Sequence, residues 1–468
     1  MRLKSIFTNS FGILFSRVTG LGRDVVMASA LGASIYTDIF FVAFKLPNLF
    51  RRIFAEGAFT QAFMPSFVAS RQKGVFATAI FLRFIFILIA FSLWVTFFPE
   101  LLTKAIAWDW SREQIIQTAP LTAINFWYLD FVFIVTFLAT LLQYREHFAT
   151  TAMSTALLNI SMIACLLIYM KDDPKNIVIA LSFAVLIGGF LQVIAHVIAI
   201  TKLNMHRILI GGWKYRKKKD VKEEEKRFNR LFFPSMWGNS MPQISAFLDT
   251  ILASFLLTGS ISYLYFANRV FQLPLAIIAI ATSVALFPMV SKAINRGDID
   301  EAYSNLGKAF WSLLSLLGFA TLMGIILAEP IVWLLLERGE FNQENTIQTA
   351  SVLSMYMLGL VPHGLTKLFA MFLYANNKHT KAAQIATIAL VLNVIVSIIL
   401  MNLMGAMGLA LAGSVGGVVL FTLTVREVGT KHFFDIVKSK KLIYLIIGLI
   451  FSAFVLNFLN NLLMEWIR

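Results

Sequence analysis

Apolar runs of about 20 or more residues alternate along this chain with short polar or Gly/Pro-punctuated segments. A hydrocarbon core about 30 Å thick takes roughly 20 helical residues to cross, so each run predicts a membrane-spanning helix. Thirteen are expected, over 8–32, 36–68, 76–99, 115–143, 150–170, 176–201, 231–257, 260–290, 305–336, 346–375, 380–403, 406–428 and 441–464. The first two are the least hydrophobic. Basic residues fall unevenly between the runs, with 26 on the side that carries Arg2 and Lys4 and 6 on the other. The positive-inside rule then places the N-terminus in the cytoplasm, and an odd helix count places the C-terminus outside. Arg17, Arg23 and Asp24 interrupt the apolar stretch that a cleavable signal would need, so the first helix is expected in the mature protein.

Composition agrees with a polytopic membrane protein: 58% hydrophobic residues, 14% charged and a mean hydropathy of +0.77. The net charge of +15 is largely accounted for by topology, so nucleic acid is not needed as a partner. One cysteine, Cys165 in an apolar run, excludes a disulfide within the chain and reads as a small buried hydrophobe. The block 214–230 (KYRKKKDVKEEEKRFNR) reads as a solvated loop or short surface helix joining two halves, with anionic headgroups as the functional alternative.

That block divides an internal repeat. Asp24 is followed by ASALGAS, then FFVAFKLP ending at Pro47, then AFMPSF; Asp249 is followed by ASFLLTGS, then YFANRVFQLP ending at Pro274, then ALFPMV. Repeats of this kind mark two-lobed secondary transporters. The fold expected is all-α: two six-helix lobes around a central cationic cavity, plus one further C-terminal helix. The divisions are 1–202 (helices 1–6), a basic cytoplasmic linker over 203–230, 231–430 (helices 7–12) and 431–468 (helix 13).

The candidate chemistry lies in charges at bilayer depth. Arg17, Arg23, Asp24, Lys45, Arg51, Arg52 and Glu56 all fall within the first two apolar segments. An arginine at the centre of a membrane helix costs roughly 2.5–3.5 kcal/mol, so four or five cost on the order of 10 kcal/mol unless they face a hydrated, charge-compensated cavity. Arg17 and Asp24 are seven residues apart and share a helix face with Gly20, while Gly20 and Gly22 let the backbone bend. Asp24 is placed to hold one arginine while another meets cargo. Pro47 is expected to disrupt the helical ladder beside Lys45 and Arg51, which makes Gly20, Gly22 and Pro47 the candidate hinges. Arg51 and Arg52 point about 100° apart, and Arg52 is at the i,i+4 spacing from Glu56. An internal ion-pair network that glues helices is the structural alternative, but basic residues outnumber acidic ones here.

In the second half, Arg269 is the only charged residue over 250–291, and Asp249 is the matching lone acid. Asp249 is open to three readings: pairing with Arg269, binding a proton, or binding a cation. Guanidinium forks converging on one point suit the oxygens of a diphosphate. His363 and Lys367 are weaker cavity candidates, and Asn393 reads first as glue between helices. The glycines of GAMGLALAGSVGG (405–417) read as close helix packing. Phosphate loops, zinc-spaced His/Cys sets and nucleophile elbows are lacking, so neither an enzyme nor an ATP-driven pump is expected.

The segment SRVTGLGRD…TDIFFVAFKLPNLFRRIFAEGAFTQAFMPSF closely resembles the MurJ (MviN) lipid II flippase family, of the multidrug/oligosaccharidyl-lipid/polysaccharide exporter superfamily. The resemblance extends through LLNISMI (157–163), GGFLQ (188–192) and the SYLYFANR stretch ending at Arg269. It implies alternating-access transport of lipid II, an undecaprenyl diphosphate bearing the peptidoglycan disaccharide-pentapeptide, from the cytoplasmic to the periplasmic leaflet of the inner membrane. The implied substrate-binding residues are Arg17, Arg23, Asp24, Arg51 and Arg269; Asp38, Glu56 and Ser262 match positions of suspected importance, with Arg52 in support. Membrane lipids and the cell-wall synthesis machinery are the further partners implied.

Three departures qualify the resemblance. The family usually has fourteen helices, the last two forming a lipid-tail groove, whereas one apolar run follows 406–428 here. Gln272 stands where some relatives carry an acid. A sodium site of some members matches at Asp249 and Asn393, but its second helix-11 acid is Ser397. No organic cofactor is expected, and sodium or the membrane potential is left as the driving force. The rival readings are an O-antigen-type flippase or drug exporter of the same superfamily, a membrane enzyme acting on polyprenyl diphosphates, and a cell-wall scaffold.

Overall fold

A computed structural model describes residues 3–53, 57–217, 220–376 and 378–467. Among the described residues there is no strand, and the chain divides into two compact units, Met1–Phe255 and Leu256–Arg468. The first holds α1 (Leu3–Leu31), α2 (Ile35–Ile53), α3 (Phe59–Ala69), α4 (Lys73–Phe97), α5 (Pro99–Ile106), α6 (Arg112–Phe126), α7 (Tyr128–Tyr144), α8 (Ala149–Tyr169), α9 (Pro174–Lys202), α10 (His206–Tyr215) and α11 (Lys222–Ala253). The second holds α12 (Ser260–Pro274), a π-helical turn (Leu275–Ile280), α13 (Ala281–Asn295), α14 (Ile299–Ile326), α15 (Ala328–Leu336), α16 (Gln343–Met357), α17 (Leu360–Ala375), α18 (His379–Met404), α19 (Ala406–Val428), α20 (Thr430–Val437) and α21 (Lys441–Ile467).

Each of the thirteen expected runs is occupied by helix. Among the described residues nine helical spans, with α6–α7 and α12–α13 each counted as one, are long and apolar enough to cross a membrane, ten if the pair α16–α17, bent by 40°, is one span. The runs outside this set are those of α1, α2–α3 and α11, where charges and breaks lower the hydropathy. Several expected spans are segmented. The 115–143 run divides at Trp127 into α6 and α7, and the 305–336 run divides at Leu327 into α14 and α15.

The expected linker is mostly helical. α10 docks on α4, where Gly74 and Gly212 bring the two backbones so close that a Cβ on Gly212 would collide with the Gly74 carbonyl. α11 begins at Lys222, nine residues before the expected start, and its first turn carries Glu223, Glu224 and Glu225. Carboxylates there complement the positive end of the helix dipole. Its first half is held by apolar burial: Phe228 is fully buried and Phe232 nearly so, stacked on each other and each meeting Phe84 edge-on, in a cluster that includes Phe59, Phe63, Phe76, Phe133 and Phe137. Arg83 of α4 donates to Asn229 Oδ1 at 2.7 Å and lies over the Phe228 ring, so its charge is partnered rather than aimed at cargo.

The repeated Gly-Ser turns have one physical basis. Gly32, after α1, has φ +61°, and Gly259, before α12, has φ +90°, a region that side chains with a Cβ rarely adopt. In the second unit, Gly408 of α19 approaches the Leu400 carbonyl of α18 and Gly416 approaches Asn393, so the glycine run does serve close packing.

Candidate functional site

In the first unit α1 carries Arg23 and Asp24 inward, 6% and 2% exposed. Arg23 Nε and Nη2 donate to Asp24 Oδ1 at 3.0 and 2.6 Å, and Nη1 donates to Asn159 Oδ1 of α8 at 3.3 Å. Asn159 in turn donates to the Ser16 carbonyl and Thr19 Oγ1, both at 3.2 Å. The amide thus ties the arginine to α1 itself and fixes the fork between two helices. Pairing with the Asp24 carboxylate lets Arg23 remain charged although buried. Arg17, under two turns earlier, is exposed.

α1 runs unbroken through Gly20 and Gly22. Cβ positions there would sit 3.4 Å from Asn159 Nδ2 and 3.9 Å from Ile163 Cδ1, so these glycines seat α8. Nor is α2 broken at Pro47, which is buried inside a helix that continues to Ile53. A proline removes one ladder hydrogen bond, and neighbouring helices can hold the helix together around it.

On α2, Arg51 is half-buried, with Nε and Nη2 against Asn48 Oδ1 at 3.3 and 3.2 Å. Arg23 and Arg51 both act electrostatically on the Tyr128 hydroxyl, the first residue of α7, which donates to Gln192 Oε1 of α9 at 3.3 Å. Tyr128 is fully buried, so both charges reach a hydroxyl shielded from solvent. Lys45 of α2 acts on the half-buried Asp249 of α11. Asp38 is buried in the first turn of α2. The side chain of Arg52 and all of Glu56 lie outside the described residues.

In the second unit Arg269 of α12 donates from Nη2 to Tyr265 Oη at 3.2 Å, its guanidinium carbon 5.3 Å from that ring's centre. Ser262, seven residues earlier on the same helix, is fully buried. Gln272, one turn on, donates to Asn268. His363 of α17 hydrogen-bonds the Gly413 carbonyl at 3.2 Å, which is a packing role, and Lys367 is exposed. Ser397 Oγ lies 3.5 Å from Asn393 Oδ1. Among the described residues no three His, Cys, Asp or Glu side chains are grouped as metal ligands.

The first-unit structure thus brings Arg23, Asp24 and Arg51 together and adds residues that the sequence pattern does not single out: Tyr128, Asn159, Gln192 and Asn48. Asn159 lies inside the LLNISMI motif, so a signal is present there without a role attached to it. Tyr265 beside Arg269 is a further addition. It stands one turn before the arginine, at the i−4 spacing that lets the two side chains meet.

Among the described residues the chain is helical without strands and has spans long and apolar enough to cross a membrane several times, the class of a polytopic membrane transporter. Its fold is that of the exporter superfamily: an inward-facing multidrug resistance MATE family transporter aligns with 93% of this chain and 99% of its own, at TM-score 0.70 and 13% identity. A structure described as lipid II flippase MurJ in an inward closed conformation aligns with 98% of this chain and 99% of its own, at TM-score 0.81 and 26% identity. A probable lipid II flippase MurJ from Helicobacter pylori is 46% identical over 425 residues, 89% of this chain and 92% of that one. The family model for lipid II flippase MurJ matches residues 27–468, and the chain belongs to that family.

Proposed function

We propose that this protein flips lipid II from the cytoplasmic to the periplasmic leaflet of a bacterial inner membrane, with its N-terminus in the cytoplasm. The observation that carries the reading is the buried Arg23 guanidinium, held by Asp24 and Asn159, in a member of the lipid II flippase family. Arg17, Arg23, Arg51 and Arg269 receive the diphosphate oxygens, and Asp24 and Asn159 hold the Arg23 fork in position. Charge-assisted, bidentate contacts of this kind are about twice as strong as neutral hydrogen bonds. The polyprenyl tail stays in lipid while alternating access re-exposes the headgroup. No bond is broken, so the protein acts as a transporter and not as an enzyme.

Lys45 supplies a positive charge that acts on Asp249, which weighs against a sodium ion at that carboxylate. The membrane potential is the driving force we favour, since each charge moved across it is worth about 2.3 kcal/mol per 100 mV. The test is depletion-rescue in cells that depend on their own lipid II flippase, at matched membrane expression. Wild type restores growth, and Arg23→Ala, Arg51→Ala and Arg269→Ala do not. Rescue by all three variants would contradict the arginine-cavity mechanism.

A further inference from the structure

We propose that Asp130 is an exchangeable proton-binding site in the first unit, independent of the flippase reading. Asp130 is in the first turn of α7, immediately after the break at Trp127. It is 7% exposed. Its Oδ2 accepts from Ser92 Oγ of α4 at 2.6 Å, while Oδ1 is buried with no hydrogen-bond partner. A polar ladder runs from Trp127 at the break to Ser92. Trp127 Nε1 donates to Thr96 Oγ1 at 3.1 Å, and Thr96 Oγ1 donates to the Ser92 carbonyl at 2.8 Å.

The charges on the helices packed against α7 leave Asp130 without a counter-ion. α2 carries Asp38, Lys45, Arg51 and Arg52; α4 carries Lys73 and Arg83; α6 carries Arg112 and Glu113; α9 carries Lys175, His196 and Lys202; and α3 carries none. Among the described residues none of these bonds to Asp130 or acts on it electrostatically. A bare carboxylate at this depth carries a desolvation cost of several kcal/mol, far above that of a neutral carboxyl with one hydrogen bond.

A metal cation is the other way to neutralise it, but the available oxygens are committed. Thr96 Oγ1 is engaged as donor and acceptor, and the Ser92 carbonyl accepts from it, leaving too few ligands for a hard cation that takes six or more. A proton needs only Oδ1. Loss of that proton would leave a charge beside the α6–α7 junction, next to the Ser92 hydroxyl that bridges α4 and α7. The protonation state thereby acts on the packing of α4 against α7.

The test is infrared difference spectroscopy on the full chain in detergent, subtracting Asp130→Asn from wild type between about pH 5 and about pH 9. The expected result is a protonated-carboxyl band in the wild type, absent from the variant, that falls as pH rises. Ser92→Ala, which removes the one donor and leaves the carboxyl, should move that band to higher frequency, and it provides the readout if Asp130→Asn does not fold. No band assignable to Asp130 at any pH, a band constant across the range, or its loss on adding sodium at constant pH would overturn the proposal.

Discussion

At the scale of single residues, the arrangement around Arg23 is the one most sensitive to change. Its guanidinium has one carboxylate and one amide oxygen as partners, both buried. Removing one member of a buried ion pair leaves an uncompensated charge and costs about 3–5 kcal/mol. Asp24→Asn should therefore lower the Tm of the purified protein well beyond what Arg17→Ala does, since Arg17 is exposed and has no such pairing to lose. Asn159→Leu keeps the volume but frees the arginine fork; it should reduce flipping several-fold while shifting Tm less than Asp24→Asn.

The charged part of this site is legible in the sequence, because an arginine in an apolar run is too costly to keep for packing alone. Asn159, Gln192 and Tyr128 are not, since amides and phenols in membrane helices serve equally as packing glue. Asp130 and Arg83 are a different case. Each is a lone charge in a long apolar run, the same signal that singles out Arg269, and run-based reading gives neither a role. Only the structure separates them, giving Arg83 a partner in Asn229 and leaving Asp130 with none but Ser92.

At the scale of elements, hydrophobic runs mark the places of the thirteen spans but not their interruptions. The break at Leu327 has a sequence signal in Glu329 and Pro330 just after it, and the break at Trp127 only the isolated polar residues Asn125 and Asp130, which a run-length reading passes over. α5, α10 and α20, of 8, 10 and 8 residues, are too short for a run-length criterion. The early start of α11 is hidden by its charges, because its apolar face, Phe228 and Phe232, is spaced at one helical turn among basic residues. Two glycine substitutions test the local geometry. Gly32→Ala forces a Cβ into a left-handed conformation and should cost about 1–2 kcal/mol by thermal unfolding. Gly212→Val collides with Gly74 and should detach α10 from α4, seen as faster proteolysis within 206–217 while the remaining spans stay protected.

At the scale of the whole molecule, the repeat first visible as Asp, Gly-Ser turn and Leu-Pro recurs as a pair of left-handed glycines, each beside the helix that carries an arginine. The two prolines behave differently. Pro47 lies inside a continuing helix, whereas Pro274 gives way to a π-helical turn, a distinction that residue identity does not encode. The proposed orientation rests on the charge bias, and the single native cysteine makes it testable. In a Cys165→Ala background, Lys217→Cys should react with a membrane-impermeant thiol reagent only in inverted vesicles or opened cells. Labelling in intact spheroplasts would reverse the topology.

The measurement closest to the central claim is binding of purified lipid II to the detergent-solubilised protein, compared among wild type, Arg51→Ala and Arg269→Ala with folding verified by Tm. Loss of a charge-assisted contact to a phosphate oxygen is worth about 1.5–3 kcal/mol, so each variant should bind roughly 10- to 100-fold more weakly. Removing the diphosphate from the ligand should abolish most of that difference. Unchanged affinity in both folded variants would contradict the assignment of these arginines to the diphosphate.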